Sequence, residues 1–127
     1  MNKVKIISVL VLDQDAAIAF YTKKLGFRLL EDKSFGEGRW ITLGLPDQKD
    51  LTLALELATA TEDKAIVGKQ AGSHAFLAID TSDCFDDYRR LKRLGVQFLS
   101  EPQSGPWGTG VQLEDLYGNK IFLSQET

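Results

Sequence analysis

One pattern of residues runs through this chain twice, and any fold must accommodate both copies. An alternating apolar stretch, Val4–Val11 in the first half and Ser73–Ile79 in the second, leads into an amphipathic helix. Both helices end on Leu-Gly, at Leu25-Gly26 and Leu94-Gly95, and short strand-like runs follow each. The order reads β-α-β-β-β, then the same again. At 127 residues the chain is one domain, since two independent cores need more residues than this. The expectation is therefore an α+β fold of two βαβββ modules, 1–58 and 72–127, joined by a small, polar connector at 59–71. Their strands would form a curved mixed sheet around a cavity.

Local signals set the elements. Asp13 or Asp15 supplies an N-cap for a first helix, Ala16–Leu25, which Gly26 stops. Strands follow at Phe27–Asp32, Arg39–Leu45 and Leu51–Leu57, separated by the Gly-rich turn Ser34–Gly38 and by Pro46–Asp50. In the second half Ser82 or Asp83 caps a helix running to Leu94, with Phe85, Tyr88 and Leu91 on one stripe. Strands are expected near 96–100, 109–114 and 119–125. Glu101–Gly108 reads as a loop, and Leu116-Tyr117-Gly118-Asn119 as a hairpin turn.

Composition bounds the partners. The hydrophobic fraction is 43% and the charged fraction 26%, values of an ordinary soluble protein. A net charge of -3 argues against nucleic acid, whose partners carry a concentrated basic patch. Arg89, Arg90, Lys92 and Arg93 read as the solvated face of the second helix. No run approaches the roughly 18 apolar residues of a membrane span, and the N-terminus lacks a signal-peptide core. The single cysteine, Cys84, suits a reducing cytoplasm and reads as an incidental half-buried residue.

Side chains alternate along a strand, and the helices cover one face of each sheet. Leu51, Leu53, Leu55 and Leu57 form one face of their strand, leaving Thr52, Ala54 and Glu56 opposite. Ala75, Leu77 and Ile79 leave His74, Phe76 and Ala78. Ile121 and Leu123 leave Lys120, Phe122 and Ser124. Ile7, Val9 and Val11 leave Ile6, Ser8 and Leu10. If the second set lines a cavity, one carboxylate and the only imidazole, Glu56 and His74, sit in it. Such a pair can bind a divalent metal, exchange a proton as acid and base, or satisfy one another.

The segment Val11–Phe27, with its Phe20-Tyr21 and Leu25-Gly26-Phe27, resembles the opening of the vicinal oxygen chelate superfamily. That group includes glyoxalases, extradiol dioxygenases, fosfomycin-modifying enzymes and bleomycin-resistance proteins. Asp115–Phe122 is similar to its closing hairpin, and Ser73-His74-Ala75-Phe76 to its third metal strand. The resemblance spans nearly the whole chain and implies paired βαβββ modules. It also implies a divalent metal held by one residue from each of four strands, usually His or Gln, Glu, His and Glu. The second and third positions fall on Glu56 and His74, but the first falls on Ile6 and the fourth on Phe122.

With half the cage missing, the expectation is a protein without a metal cofactor that binds a small, partly planar organic molecule. Trp40, Phe76, Trp107, Gln112 and Phe122 are its candidate ligand-binding residues, because aromatic walls suit planar ligands. The alternative is a glyoxalase-type lyase/isomerase or dioxygenase. Glu56 and His74 would then be its catalytic residues, and the ligands of any Zn, Ni or Mn ion. A third reading is a regulatory module with a vestigial cavity. Proteins resembling this one pair as homodimers, so a homodimer in the cytoplasm is expected.

Overall fold

Capping and helix-stop residues fix where the two longer helical segments begin and end. The computed structural model describes every residue, Met1–Thr127, and divides the chain into two units, Met1–Val67 and Gly68–Thr127. The first contains β1 (Ile6–Val11), α1 (Gln14–Ala19), β2 (Arg28–Phe35), β3 (Gly38–Gly44), β4 (Thr52–Leu57) and α2 (Thr61–Ile66). The second contains β5 (Ala75–Asp80), α3 (Cys84–Arg93), β6 (Gln97–Phe98), β7 (Gln103–Gly105), β8 (Gly108–Glu114) and β9 (Lys120–Glu126). The β-α-β-β-β order is present in both, with α2 added after it in the first and the short strand β7 added within it in the second.

In the first unit Asp13, not Asp15, caps α1: its carboxylate accepts from the Ala16 N–H at 2.9 Å. The helix then widens into a π-helical turn over Phe20–Lys24, so the Leu25 N–H reaches back five residues to the Phe20 carbonyl at 3.4 Å. Gly26 ends it at φ +80°, a left-handed conformation in which a Cβ is strained. The strands form a mixed sheet ordered β1-β4-β3-β2, with β1 and β4 parallel and the other pairs antiparallel.

Register places Val9, Val11, Leu53, Leu55, Ile41 and Leu43 on one face, all buried. Ala17, Phe20 and Tyr21 of the helical segment are buried with them. Each large aliphatic side chain withdrawn from water here stabilises the unit by about 1.5–3 kcal/mol before entropy is counted. Gln14 fixes the start of α1 to the sheet. Its Nε2 donates to the Leu55 carbonyl at 2.9 Å and the Arg39 carbonyl at 3.2 Å.

In the second unit Asp83, not Ser82, caps α3, accepting from the Asp86 N–H at 3.0 Å, and Gly95 ends that helical segment at φ +87°. The sheet runs β5-β9-β8-β6, with β7 also pairing to β8. Val111, Leu113, Ile121 and Leu123 are its buried row.

Five expectations need correction. The helix stripe is Cys84, Tyr88 and Leu91, because the N-cap at Asp83 sets the phase, and Phe85 lies exposed. Cys84 is fully buried, and burial first, then Asp87 and Asp83, pushes its thiol pKa up. The polar 59–71 stretch holds helix α2, and the 101–108 loop holds strand β7. His74 lies in a bend before β5, where its N–H donates to the Ala71 carbonyl, and is exposed.

The predicted hairpin turn joins β8 to β9 and is tied to the start of the unit. Buried Asp115 accepts from the N–H groups of Tyr117 and Asn119 and from Asn119 Nδ2, each at 2.9 Å. Asn119 Oδ1 in turn accepts from the Gln70 N–H at 2.9 Å. Gly68 packs so closely on the turn that a Cβ there would lie 1.9 Å from the Tyr117 carbonyl oxygen.

Candidate functional site

The sheet face that α1 leaves uncovered in the first unit is set by register. Pairing of Thr42 with Ala54, of Ser8 with Ala54 and of Leu10 with Glu56 puts Ile6, Ser8, Leu10, Thr52, Glu56 and Trp40 on it. A bulge between Leu29 and Glu31 re-phases β2, so that Glu31 joins this face opposite Thr42.

Part of this face is a cleft of about 420 Å³. Trp40, Thr42, Thr52, Ile6 and Leu30 form its wall, and Lys3, Lys5, Lys49 and Asp50 also line it. Glu31 sits among them. Its carboxylate accepts from Trp40 Nε1 at 3.2 Å and from the buried Thr42 hydroxyl at 3.1 Å, and pairs with Lys33 at 3.4 Å. The Trp40 bond, then the Thr42 bond, holds the Glu31 pKa below the ordinary carboxylate value. The first of these bonds ties the Trp40 indole N–H to Glu31.

In the second unit the aromatic residues gather on the face opposite the buried row. Phe122 of β9 pairs with Gln112 of β8 and Ala78 of β5. The Trp107 ring lies 6.3 Å from that of Phe122, tilted by 42°. Two glycines make room for both rings. A Cβ on Gly105 would stand 2.8 Å from Trp107 Nε1, and one on Gly110 would stand 2.6 Å from Phe122 Cζ and 2.9 Å from Trp107 Cη2. The cradled indole is nevertheless 52% exposed. It presents a large flat apolar surface held in one orientation.

The expected residues are thus distributed. Trp107, Phe122 and Gln112 come together in the second unit, with Phe76 half-buried on β5 at the irregularity between Ala75 and Leu77. Trp40 forms the wall of the first-unit cleft. Glu56 is half-buried on β4, and His74 belongs to the other unit. Sequence reading missed Glu31, Thr42 and the cleft lysines. The bulge that turns Glu31 inward leaves no periodic signal, and Thr42 alternates like any strand threonine.

The four positions that the resemblance implies for a metal are Ile6, Glu56, His74 and Phe122. Ile6 and Phe122 offer no donor atom, and no group of three or more His, Cys, Asp or Glu side chains is arranged to hold an ion.

The family model described as Glyoxalase/Bleomycin resistance protein/Dioxygenase superfamily matches residues 3–123. The structure of UcmS2 superposes with a TM-score of 0.87 at 30% identity, covering 98% of each chain. That of TnmS3, an antibiotic binding protein from Streptomyces sp. CB03234, gives 0.80 at 32% identity, covering 100% of this chain and 98% of that one. A lactoylglutathione lyase of Neisseria meningitidis is 30% identical over 116 residues, 88% of this chain and 82% of that protein.

Proposed function

From the chain's membership in the glyoxalase/bleomycin resistance protein/dioxygenase superfamily, we propose that it binds a small, partly planar organic molecule and does so without a metal. One observation carries this reading. Trp107 is held over Gly105 and Gly110 beside Phe122 while half its surface faces water. A large ring kept exposed in a built cradle is an arrangement for stacking a flat ligand. Similarity to the antibiotic binding protein TnmS3 supports the same reading. Gln112, beside Phe122, supplies a hydrogen-bonding amide, Phe76 adds apolar wall, and Phe122 occupies the place of a metal ligand. The protein acts as a homodimer in the cytoplasm.

Fluorescence tests it. In a Trp40→Phe background the only indole is Trp107. Titration with bleomycin and with uncharged planar polycyclic compounds should quench it saturably for at least one of them. The same ligand should bind at least tenfold more weakly to Trp107→Ala. Quenching that rises linearly with every compound would refute the reading.

A second reading rests on the 30% identity to a lactoylglutathione lyase. In it Glu56 and His74 would be catalytic, with Zn, Ni or Mn as metal. Lactoylglutathione formation that depends on one of these ions and is abolished in both Glu56→Gln and His74→Ala would favour it.

A further inference from the structure

We propose that the first-unit cleft is itself a binding site for a planar organic anion, whose acidic group its lysines receive. This goes beyond the binding function just proposed, which stands on the second unit. The cleft has a rigid aromatic wall, Trp40, whose indole N–H is already engaged by Glu31. It has a hydroxyl on its wall, Thr52, and three ammonium groups around it, from Lys3, Lys5 and Lys49.

The charge count is what points to an anion. Two carboxylates also line the cleft, Glu31 and Asp50. Glu31 is bonded to Trp40 and Thr42 and paired with Lys33, a residue outside the lining. Its charge is thereby compensated without drawing on the cleft lysines. Lys3, Lys5 and Lys49 enter no ion pair, and Asp50 alone opposes them. In a chain whose net charge is -3, this corner is locally positive. Lysine is a flexible point charge that suits a carboxylate, sulfonate or phosphate without demanding one geometry.

Three exposed ammoniums act through water, so the attraction is modest, salt-sensitive and additive. It decides between charge states of one ligand more than it sets overall affinity. Trp40 supplies stacking area next to the same charges. The cleft would therefore discriminate a flat acid from its neutral isostere.

A charge series on one ring system tests this. Trp40 is followed alone in a Trp107→Phe background, at low and at physiological salt. The probes are 2-naphthoate, 2-naphthyl phosphate, 2-naphthalenemethanol and 2-naphthylmethylamine. At least one anion should bind five- to tenfold tighter than the alcohol at low salt, and the amine weaker than both. The advantage should shrink as salt rises. Naphthoate against naphthyl phosphate distinguishes a carboxylate from a phosphate ligand. In Lys3→Gln/Lys5→Gln/Lys49→Gln the anion advantage should vanish while alcohol binding is kept, which also shows the variant is folded. Equal binding of acid and alcohol, or an advantage unchanged in the triple variant, overturns the inference and leaves the binding function standing. Failure of every probe to quench Trp40 overturns the inference as well.

Discussion

Gly110 is where a single methyl group most directly tests the aromatic cradle. It lies within β8, paired with Ser124 on one side and Gln103 on the other. Its backbone is not in the left-handed region, so alanine introduces no φ strain. The whole effect is steric. The new Cβ would stand 2.6 Å from Phe122 Cζ and 2.9 Å from Trp107 Cη2. To regain ordinary contact the Phe122 ring must retreat by about 0.8 Å, an overpacking that costs on the order of 1–3 kcal/mol. Trp107 is half exposed, whereas Phe122 is flanked by Ala78 and Gln112 on the neighbouring strands.

Gly110→Ala should therefore lower unfolding free energy by about 1–2 kcal/mol, as read by urea denaturation. It should also shift the Trp107 emission in a Trp40→Phe background. Trimming the opposing ring should relieve the clash. Gly110→Ala in a Phe122→Leu background should then cost less than half as much, a coupling above about 0.5 kcal/mol. A Gly110→Ala protein as stable as its parent, with unchanged emission and no coupling, would refute the cradle.

Other residues carry independent predictions. Asn119→Ala removes one donor to Asp115 and the acceptor for the Gln70 N–H, so urea denaturation should show a loss of about 2–3 kcal/mol. The Glu31 pKa is lowered on folding, so its contribution is present above the ordinary value of 4.5 and is lost as pH falls through the folded value. Trp40 emission in Trp107→Phe should accordingly titrate below pH 4.5, and this transition should be absent in Glu31→Gln. The Cys84 pKa is raised, so its contribution is complete below the unfolded value of about 8.5 and fades as pH rises through the folded one. A thiol reagent at pH 8 should react at the rate of unfolding, and Cys84→Ser should flatten the loss of stability at alkaline pH.

The duplicated order of elements was legible because two helix stops and two caps mark it. Gly26 and Gly95 adopt the left-handed φ that a helix C-terminus favours, and Asp13 and Asp83 bond the N–H three residues on. Strand faces were legible wherever alternation is strict, as at Leu53 and Leu55 or Ile121 and Leu123. Legibility failed where tertiary structure overrides local pattern. The bulge at Leu29/Glu31 inverts the phase of β2, an edge strand with few buried residues to reveal it. Strand β7 is three residues, Gln-Ser-Gly, held by pairing to β8 and not by propensity. The π-helical turn at Phe20–Lys24 has no sequence mark at all. Of the candidate site, Phe76 and Phe122 were legible by alternation, and Trp107 only as a loop residue. The glycines that seat them were not, because a glycine needed for space looks in sequence like one needed for a turn.

Calorimetric titration of the purified protein with the planar compound that quenches Trp107, run once in excess chelator and once with Ni²⁺ or Zn²⁺, bears most directly on metal-free binding. The account predicts saturable binding with the same affinity in both runs, weakened at least tenfold by Trp107→Ala. Heat that appears only with metal and vanishes in His74→Ala would contradict it.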